Sequence, residues 1–372
     1  MLRLTICTCL LIASFAAIGN SRYTDVSPTG NNHEFIVLGD MHYDLVENHD
    51  MDWVNANGFH DQIVKSYSRN TARFIPRFVK TVKHMSERPG MLAIVQLGDM
   101  SEGLAGSDEK VRKMNRNLFR FIDSIDFKLP FIMTKGNHDI TGPGAREAFK
   151  EIYVPGIRRI GKFDDNTTHG HYTKRVDDIL FAVYDCFEKE CSPAWLDSVL
   201  SNSDARHKFV LIHEPVIPIN YQCRHLYRRP KDSSRRRNLL KAIASNKAIV
   251  LAGHIHQYAV LRRDTEWGPI VQINVNSVIN NDDRDKLINV TTEYDPDMVD
   301  QFPHWHGDDI EQRREMLAAE APHIRYYKWA DMPGYAVITV RRSDNHVILD
   351  YYPNIKTHPC DTVDITEIYS AE

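Results

Sequence analysis

Phe131-Ile132-Met133-Thr134-Lys135-Gly136-Asn137-His138-Asp139 is the stretch on which the fold turns. The apolar run from Leu129 to Met133 reads as a buried strand, and it stops at a glycine followed by an amide, an imidazole and a carboxylate. In α/β folds, chemistry collects where strands end. Asn137 could offer an oxygen to a hard metal, and His138 an imidazole to a proton. Asn, Gly and Asp are equally ordinary turn residues, so the rest of the chain must decide by supplying partners.

Upstream, Glu34 to Leu38 forms a strand candidate ended by Gly39-Asp40-Met41-His42. Asp40 and His42 stand two apart and share a face of extended backbone, where a carboxylate and an imidazole can chelate. Met91 to Leu97 is a second apolar run, ended by Gly98-Asp99 and followed by Glu102. Ile75, Phe78, Val79 and Val82 fall at helical spacing between these two runs, and Val111 to Ile125 reads as a helix before the third. Strand, helix, strand, helix, strand predicts right-handed crossovers and a largely parallel sheet, with all three polar ends on one edge.

Downstream, His169 to Val176 and Ile179 to Tyr184 read as a hairpin turning at Asp177-Asp178, and Ser192-Pro193 opens a short helix over Trp195 to Leu200. Lys208 to Ile212 is a strand ending in His213, and Ala248 to Ala252 is another ending in Gly253-His254-Ile255-His256, again with two imidazoles two apart. Gly334 to Val340 and His346 to Tyr352 read as a closing hairpin.

This ordered set of strand-end motifs resembles the calcineurin-like metallophosphoesterase superfamily over roughly Glu34 to Asn276. The resemblance implies a four-layer α/β/β/α sandwich carrying a dinuclear metal centre. By position, Asp40, His42 and His256 would hold one ion and Asn137, His213 and His254 the other, with Asp99 bridging. Carboxylate, amide and imidazole donors suit Zn, Mn or Fe better than Ca or Mg, which favour oxygen-only shells. Two such ions about 3.5–4 Å apart activate a bridging hydroxide and clamp a phosphate. His138, beside a ligand without being one, is placed to protonate the leaving group. In the resembled family a carboxylate three residues after the bridging Asp supports this His, which assigns Glu102 to orient His138. The departures from the family pattern also matter. Ser101-Glu102-Gly103 and Asp139 differ from the protein Ser/Thr phosphatase branch, and His42 differs from purple acid phosphatases. The resemblance is to the broad group containing cyclic-nucleotide phosphodiesterases and small-molecule phosphoesterases.

Composition fits this reading. The chain has 372 residues, 42% of them hydrophobic, enough for one large core, and reads as a single domain over 33–372 with an insertion at about 279–333. Lys plus Arg number 46 against 50 Asp plus Glu, so no basic field argues for a nucleic acid polymer. Arg224 to Arg237 nevertheless carries seven cations between two motifs. The run reads first as a solvated loop and helix start capped by Asp232, Ser233 or Ser234, and within it Arg224 and His225, nearest His213, are the candidates for holding an anionic substrate. His304 and His306 could add a metal site or sit on a surface loop, and Asp308 to Ala319 is helix-like.

Met1-Leu2-Arg3, the apolar run Leu4 to Ile18 and the small residues at its end predict a signal peptide over 1–19 and a secreted or extracytoplasmic protein with no stable membrane insertion. Four cysteines remain beyond it, and in an exported chain they predict two disulfides, with Cys186–Cys191 and Cys223–Cys360 as the simplest pairing. Asn166-Thr167-Thr168 and Asn289-Val290-Thr291 are glycosylation sequons. The function expected is an exported phosphoesterase acting on small phosphomonoesters or diesters. Cyclic-nucleotide phosphodiesterase or nucleotidase is a narrower alternative, and a catalytically silent metal-containing binding module is one from another class. Nothing in the motifs favours the silent module, because neither a ligand nor the proton donor is missing.

Overall fold

The computed structural model describes residues 32–163, 169–224, 226–278, 284–301 and 310–371. The expected leader over 1–19, the sequon at Asn166, His225 and the Phe302-to-His306 stretch lie outside these residues.

Among the described residues, thirteen strands form two sheets. In the first sheet β1 (Asn32–Leu38), β2 (Met91–Gln96) and β3 (Phe131–Met133) run parallel, as the alternation of strands and helices requires. On the other side of β1 the pairing turns antiparallel through β11 (Gly334–Arg341), β12 (Val347–Pro353) and β13 (Asp361–Asp364). The second sheet is also mixed, with its parallel strands in the middle. Its parallel centre is β5 (Ile179–Val183), β6 (His207–Ile212), β7 (Ile249–Ala252) and β9 (Gly268–Asn274). Antiparallel β4 (Tyr172–Val176) flanks one side, and β8 (Tyr258–Thr265) with β10 (Ile324–Ala330) flanks the other. The parallel unit predicted from the sequence is therefore present as β1-β2-β3 at one end of the first sheet, and the strands added beside it are antiparallel.

The sheets pack face to face. Phe35 on β1 meets Phe181 on β5 and Phe209 on β6 edge-on, each at 5.0 Å between ring centroids, and Tyr258 on β8 stacks on Tyr351 of β12 at 4.0 Å. Strand periodicity sorts the two faces of the second sheet. Phe181, Val183, Phe209 and Leu211 join the cluster shared with the first sheet, whereas Leu180, Ala182, Val210 and Ile212 pack in a separate one with Leu196, Leu200, Leu239 and Ile243. These last four lie on the helices Pro193–Ser201 and Ser233–Ser245, which cover that sheet from outside. The Ile75–Ser86 and Asp108–Ile125 helices bury Phe78, Val82, Leu118 and Ile122 in the first cluster. The layering is α/β/β/α. The predicted caps hold in part: Ser192 accepts from the Trp195 amide, while Asp232 starts its helix without a side-chain cap.

The expected disulfides do not form, and Cys186, Cys191, Cys223 and Cys360 are free. Cys223 packs in the helix-side cluster, where its Sγ accepts from the Ile219 amide at 3.3 Å, and Cys360 packs against the other cluster. The Cys186–Cys191 loop is tied down through Asp185 and Glu188 to Lys135 rather than through sulfur. Among the described residues no helix is long and apolar enough to cross a membrane.

Candidate metal centre

All the polar strand ends meet at one seam, where the carboxyl ends of the parallel strands of both sheets converge. Backbone bonds knit the loops together: the amides of Met41 and His42 donate to the Asp99 carbonyl at 3.1 and 2.9 Å, and Gly253 donates to His213 at 3.1 Å. Side chains cross the seam. Asp40 of the first sheet accepts from the His254 amide of the second at 3.0 Å, and His213 Nδ1 donates to the Leu97 carbonyl at 2.8 Å. Asp99, His42, His254 and His256 all take left-handed φ between 44° and 70°, which strains residues with side chains and is the backbone signature of an imposed geometry. Gly136 is required by close approach, since a Cβ there would sit 2.1 Å from both the amide nitrogen and Oδ1 of Asp99.

Among the described residues the side chains gather in three groups: Asp40 with His42 and His256, Asp99 with His213 and His254, and His42 again with Glu102 and His138. His42 and His256 turn their Nε2 atoms to within 3.2 Å of one another, and His256 Nε2 lies 2.8 Å from Asp40 Oδ2. In the second group His213 Nε2 is 3.2 Å from Asp99 Oδ2, 3.1 Å from Asn137 Oδ1 and 3.2 Å from His254 Nδ1. Asp99 Oδ2 is also 4.0 Å from His42 Nε2, so one carboxylate oxygen faces the first two groups. The structure brings the seven residues named as candidate ligands, Asp40, His42, Asp99, Asn137, His213, His254 and His256, to one place.

The donor set fits metal ions. His42 gives its Nδ1 proton to Glu102 Oε2 at 2.7 Å and His213 gives its own to Leu97, so in the neutral rings each Nε2 lone pair points inward. Around His213 Nε2, a carboxylate oxygen, an amide oxygen and a second imidazole nitrogen then converge. Such a cluster of acceptors calls for positive charge at its centre, whether a metal ion or a proton. Burial disfavours a charged His213, yet the Asp99 carboxylate overrides it and pushes the imidazole up to about 10, so the site draws a cation of one kind or the other. Asp99 itself is held well below the usual carboxylate range, because the charges of His213 and His138 outweigh its burial. Asp40 Oδ2 is buried, and its near neighbour is the His256 ring nitrogen. Two carboxylates, an amide oxygen and four imidazoles are a donor set for borderline transition metals.

His138 stands beside this centre. Its Nδ1 donates to the Glu102 backbone carbonyl at 2.8 Å and lies 3.3 Å from the Glu102 carboxylate, while its amide donates to Asp99 Oδ1 at 2.7 Å. The carboxylate of Glu102, expected to orient His138, therefore makes its shorter contact to His42 and touches both rings. Burial opposes charging of His138, but Asp99 and Glu102 together push it up to about 10. His138 borders a cavity of about 400 Å³ lined also by Gln62, Ser66 and Tyr67.

Asp139, ambiguous in the sequence, is a buried strut. Its carboxylate accepts from the Gly136 amide at 2.9 Å, the Ser101 amide and hydroxyl at 3.0 and 3.1 Å, and the Tyr153 hydroxyl at 2.6 Å. Lys135, 1% exposed, anchors the same turn to the second sheet through Asp185 at 2.5 Å and Glu188 at 2.6 Å. Arg224 is exposed and is not part of the cavity lining. The basic run around it is largely committed elsewhere: Arg235 to the carbonyls of Glu188 and Cys191, Arg236 to Glu320, Arg237 to Glu266 and Arg229 to Asp232. Sequence reasoning missed Gln62, Ser66 and Tyr67, which carry no motif and come from a helical segment between β1 and β2.

Comparison with curated protein sequences finds no match. The fold is similar to that of a purple acid phosphatase from yellow lupin (Lupinus luteus) seeds, with a TM-score of 0.53 at 11% identity over 92% of this chain and 55% of that one. It is also similar to a dimetal phosphatase from Danio rerio, with a TM-score of 0.51 at 13% identity over 91% of this chain and 99% of that one. The chain thus spans about half the length of the lupin enzyme. Its residues 33–258 match the sequence profile of calcineurin-like phosphoesterases, and the chain belongs to that family.

Proposed function

We propose that this chain is an exported phosphoesterase that hydrolyses small phosphomonoesters or phosphodiesters at a centre of two ions drawn from Zn, Mn and Fe. The observation that carries the reading is the pair of ligand groups meeting at Asp99 Oδ2, with the His138 imidazole beside them lining a cavity. Asp40, His42 and His256 would hold one ion, Asn137, His213 and His254 the other, and Asp99 would be shared. Bound there, the ions supply Lewis acidity, which makes a water more acidic and neutralises the phosphoryl oxygens.

The remaining chemistry belongs to the chain. His138 Nδ1 donates to the Glu102 carbonyl, and the Asp99 and Glu102 carboxylates favour the doubly protonated ring, so Nε2 carries a second proton. That proton goes to the leaving oxygen as its bond to phosphorus breaks. Glu102 fixes the ring planes of His42 and His138 together. The seam between the sheets sets the spacing of all these groups through backbone bonds, so little reorganisation accompanies the reaction. Export rests on the apolar leader in the sequence alone.

The test is a panel of p-nitrophenyl phosphate, bis-p-nitrophenyl phosphate, nucleoside monophosphates and cyclic nucleotides, assayed on metal-loaded protein. Turnover of at least one ester class is expected. Metal-loaded, folded protein inert to the whole panel would replace the enzyme by a silent binding module.

A further inference from the structure

We propose that Gln62 is a positioning residue that clamps Glu102, and through it His42 and His138, from the wall of the cavity that receives the leaving group. The proposal rests on the functional reading above and extends it to a residue outside every motif. Gln62 lies on a π-helical turn, Asp61–Tyr67, a geometry uncommon in proteins and enriched at functional sites. Because that turn closes over five residues, Gln62 and Tyr67 fall one turn apart, and with Ser66 they line the same cavity as His138.

The Gln62 amide nitrogen donates to Glu102 Oε1 at 2.5 Å. The orientation is unambiguous, since a carboxylate only accepts and the amide must present its nitrogen. The other oxygen, Oε2, takes the Nδ1 proton of His42 at 2.7 Å and lies 3.3 Å from His138 Nδ1. Glu102 is fully buried, so its two oxygens depend on these few donors. Without Gln62, Oε1 loses its side-chain donor and the carboxylate is free to rotate towards other partners, releasing both imidazoles. Tyr67 completes the wall by stacking on the His42 ring at 4.4 Å with 22° between planes, fixing from one face the ring that Glu102 fixes at its edge.

A residue acting through the proton donor is felt most where the leaving group most needs a proton. Alkyl phosphates leave as strongly basic alkoxides, whereas p-nitrophenolate departs with little assistance. In metal-loaded protein, Gln62→Ala should lower kcat on an alkyl phosphate such as glycerol phosphate by roughly 10- to 100-fold, the weight of a hydrogen bond to a charged group. On p-nitrophenyl phosphate, assayed at full metal loading, the loss should be several-fold smaller, with KM unchanged. Gln62→Glu keeps the shape but turns the donor into an acceptor, and should fall at least as far. Equal losses on both substrates, or none, would overturn the clamp. A readout independent of turnover comes from the low-field imidazole N–H resonances of His42 and His138, which should shift in Gln62→Ala. Unchanged resonances would overturn the proposal even if the wild type proved inert. Shifted resonances in an inert protein would uphold the clamp and refute the hydrolytic reading instead.

Discussion

Replacing Lys135 by Met removes the cation that joins the Gly136-Asn137-His138 turn to the second sheet. Lys135 Nζ contacts Asp185, which is fully buried, and Glu188, whose side chain is 24% exposed. Water can solvate Glu188 once its partner is gone, so the cost falls mainly on Asp185. Breaking a buried pair by removing one member costs about 3–5 kcal/mol. At roughly 2.1 cal/mol/K per residue, the unfolding entropy of the described chain is roughly 0.7 kcal/mol/K, so Tm should fall by about 4–8 °C at neutral pH. Burial already holds the Asp185 carboxyl above its usual range despite Lys135, and the substitution drives it higher. A carboxyl whose folded pKa is raised binds its proton more tightly in the native state, so lowering the pH stabilises the fold relative to the unfolded chain. The Tm deficit of Lys135→Met should therefore shrink as the pH is lowered from 7 towards 4, and Asp185→Asn in the same background should recover part of it. Differential scanning calorimetry across that range reads both effects. A variant within 1 °C of wild type at pH 7, or a deficit that does not change with pH, would refute the reasoning.

His138→Ala should retain the metal content of the wild type while kcat falls by about 10²–10⁴-fold, checked by elemental analysis alongside steady-state kinetics. Gly136→Ala drives a methyl into Asp99, and metal occupancy should fall with Tm in the same preparation. Chelation should lower Tm as well, because ligands that bind only the folded state add about 4 kcal/mol at 1,000 times Kd. A scan with and without EDTA shows whether the site is coupled to folding.

The centre is legible in the sequence because its ligands sit where buried apolar strands stop. β1, β2, β3, β6 and β7 are short hydrophobic runs, and each is followed within two residues by a Gly or His of a motif, or in β3 by the Thr134-Lys135 step into one. Elsewhere the local signal is weak or misleading. β8 is hard to read because Arg262 and Arg263 interrupt its apolar alternation; both are buried, paired with Asp264 and with Glu320 far along the chain. The Arg224–Arg237 run has the look of a substrate cradle because its partners, Glu320, Glu266 and two carbonyls, are distant in sequence. Gln62 contacts Glu102 across 40 positions from a helix with no motif of its own. Cysteine count suggests bridges, but packing places Cys223 and Cys360 against different hydrophobic clusters.

The central claim is that two groups of residues, sharing Asp99, hold two ions. Elemental analysis of the metal-loaded protein against Asp40→Asn addresses it most directly. Two ions per wild-type chain, falling to one in the variant with loss of phosphoesterase activity, is the expected result. A wild type that binds a single ion, or an Asp40→Asn variant that keeps its full complement and full activity, would contradict it.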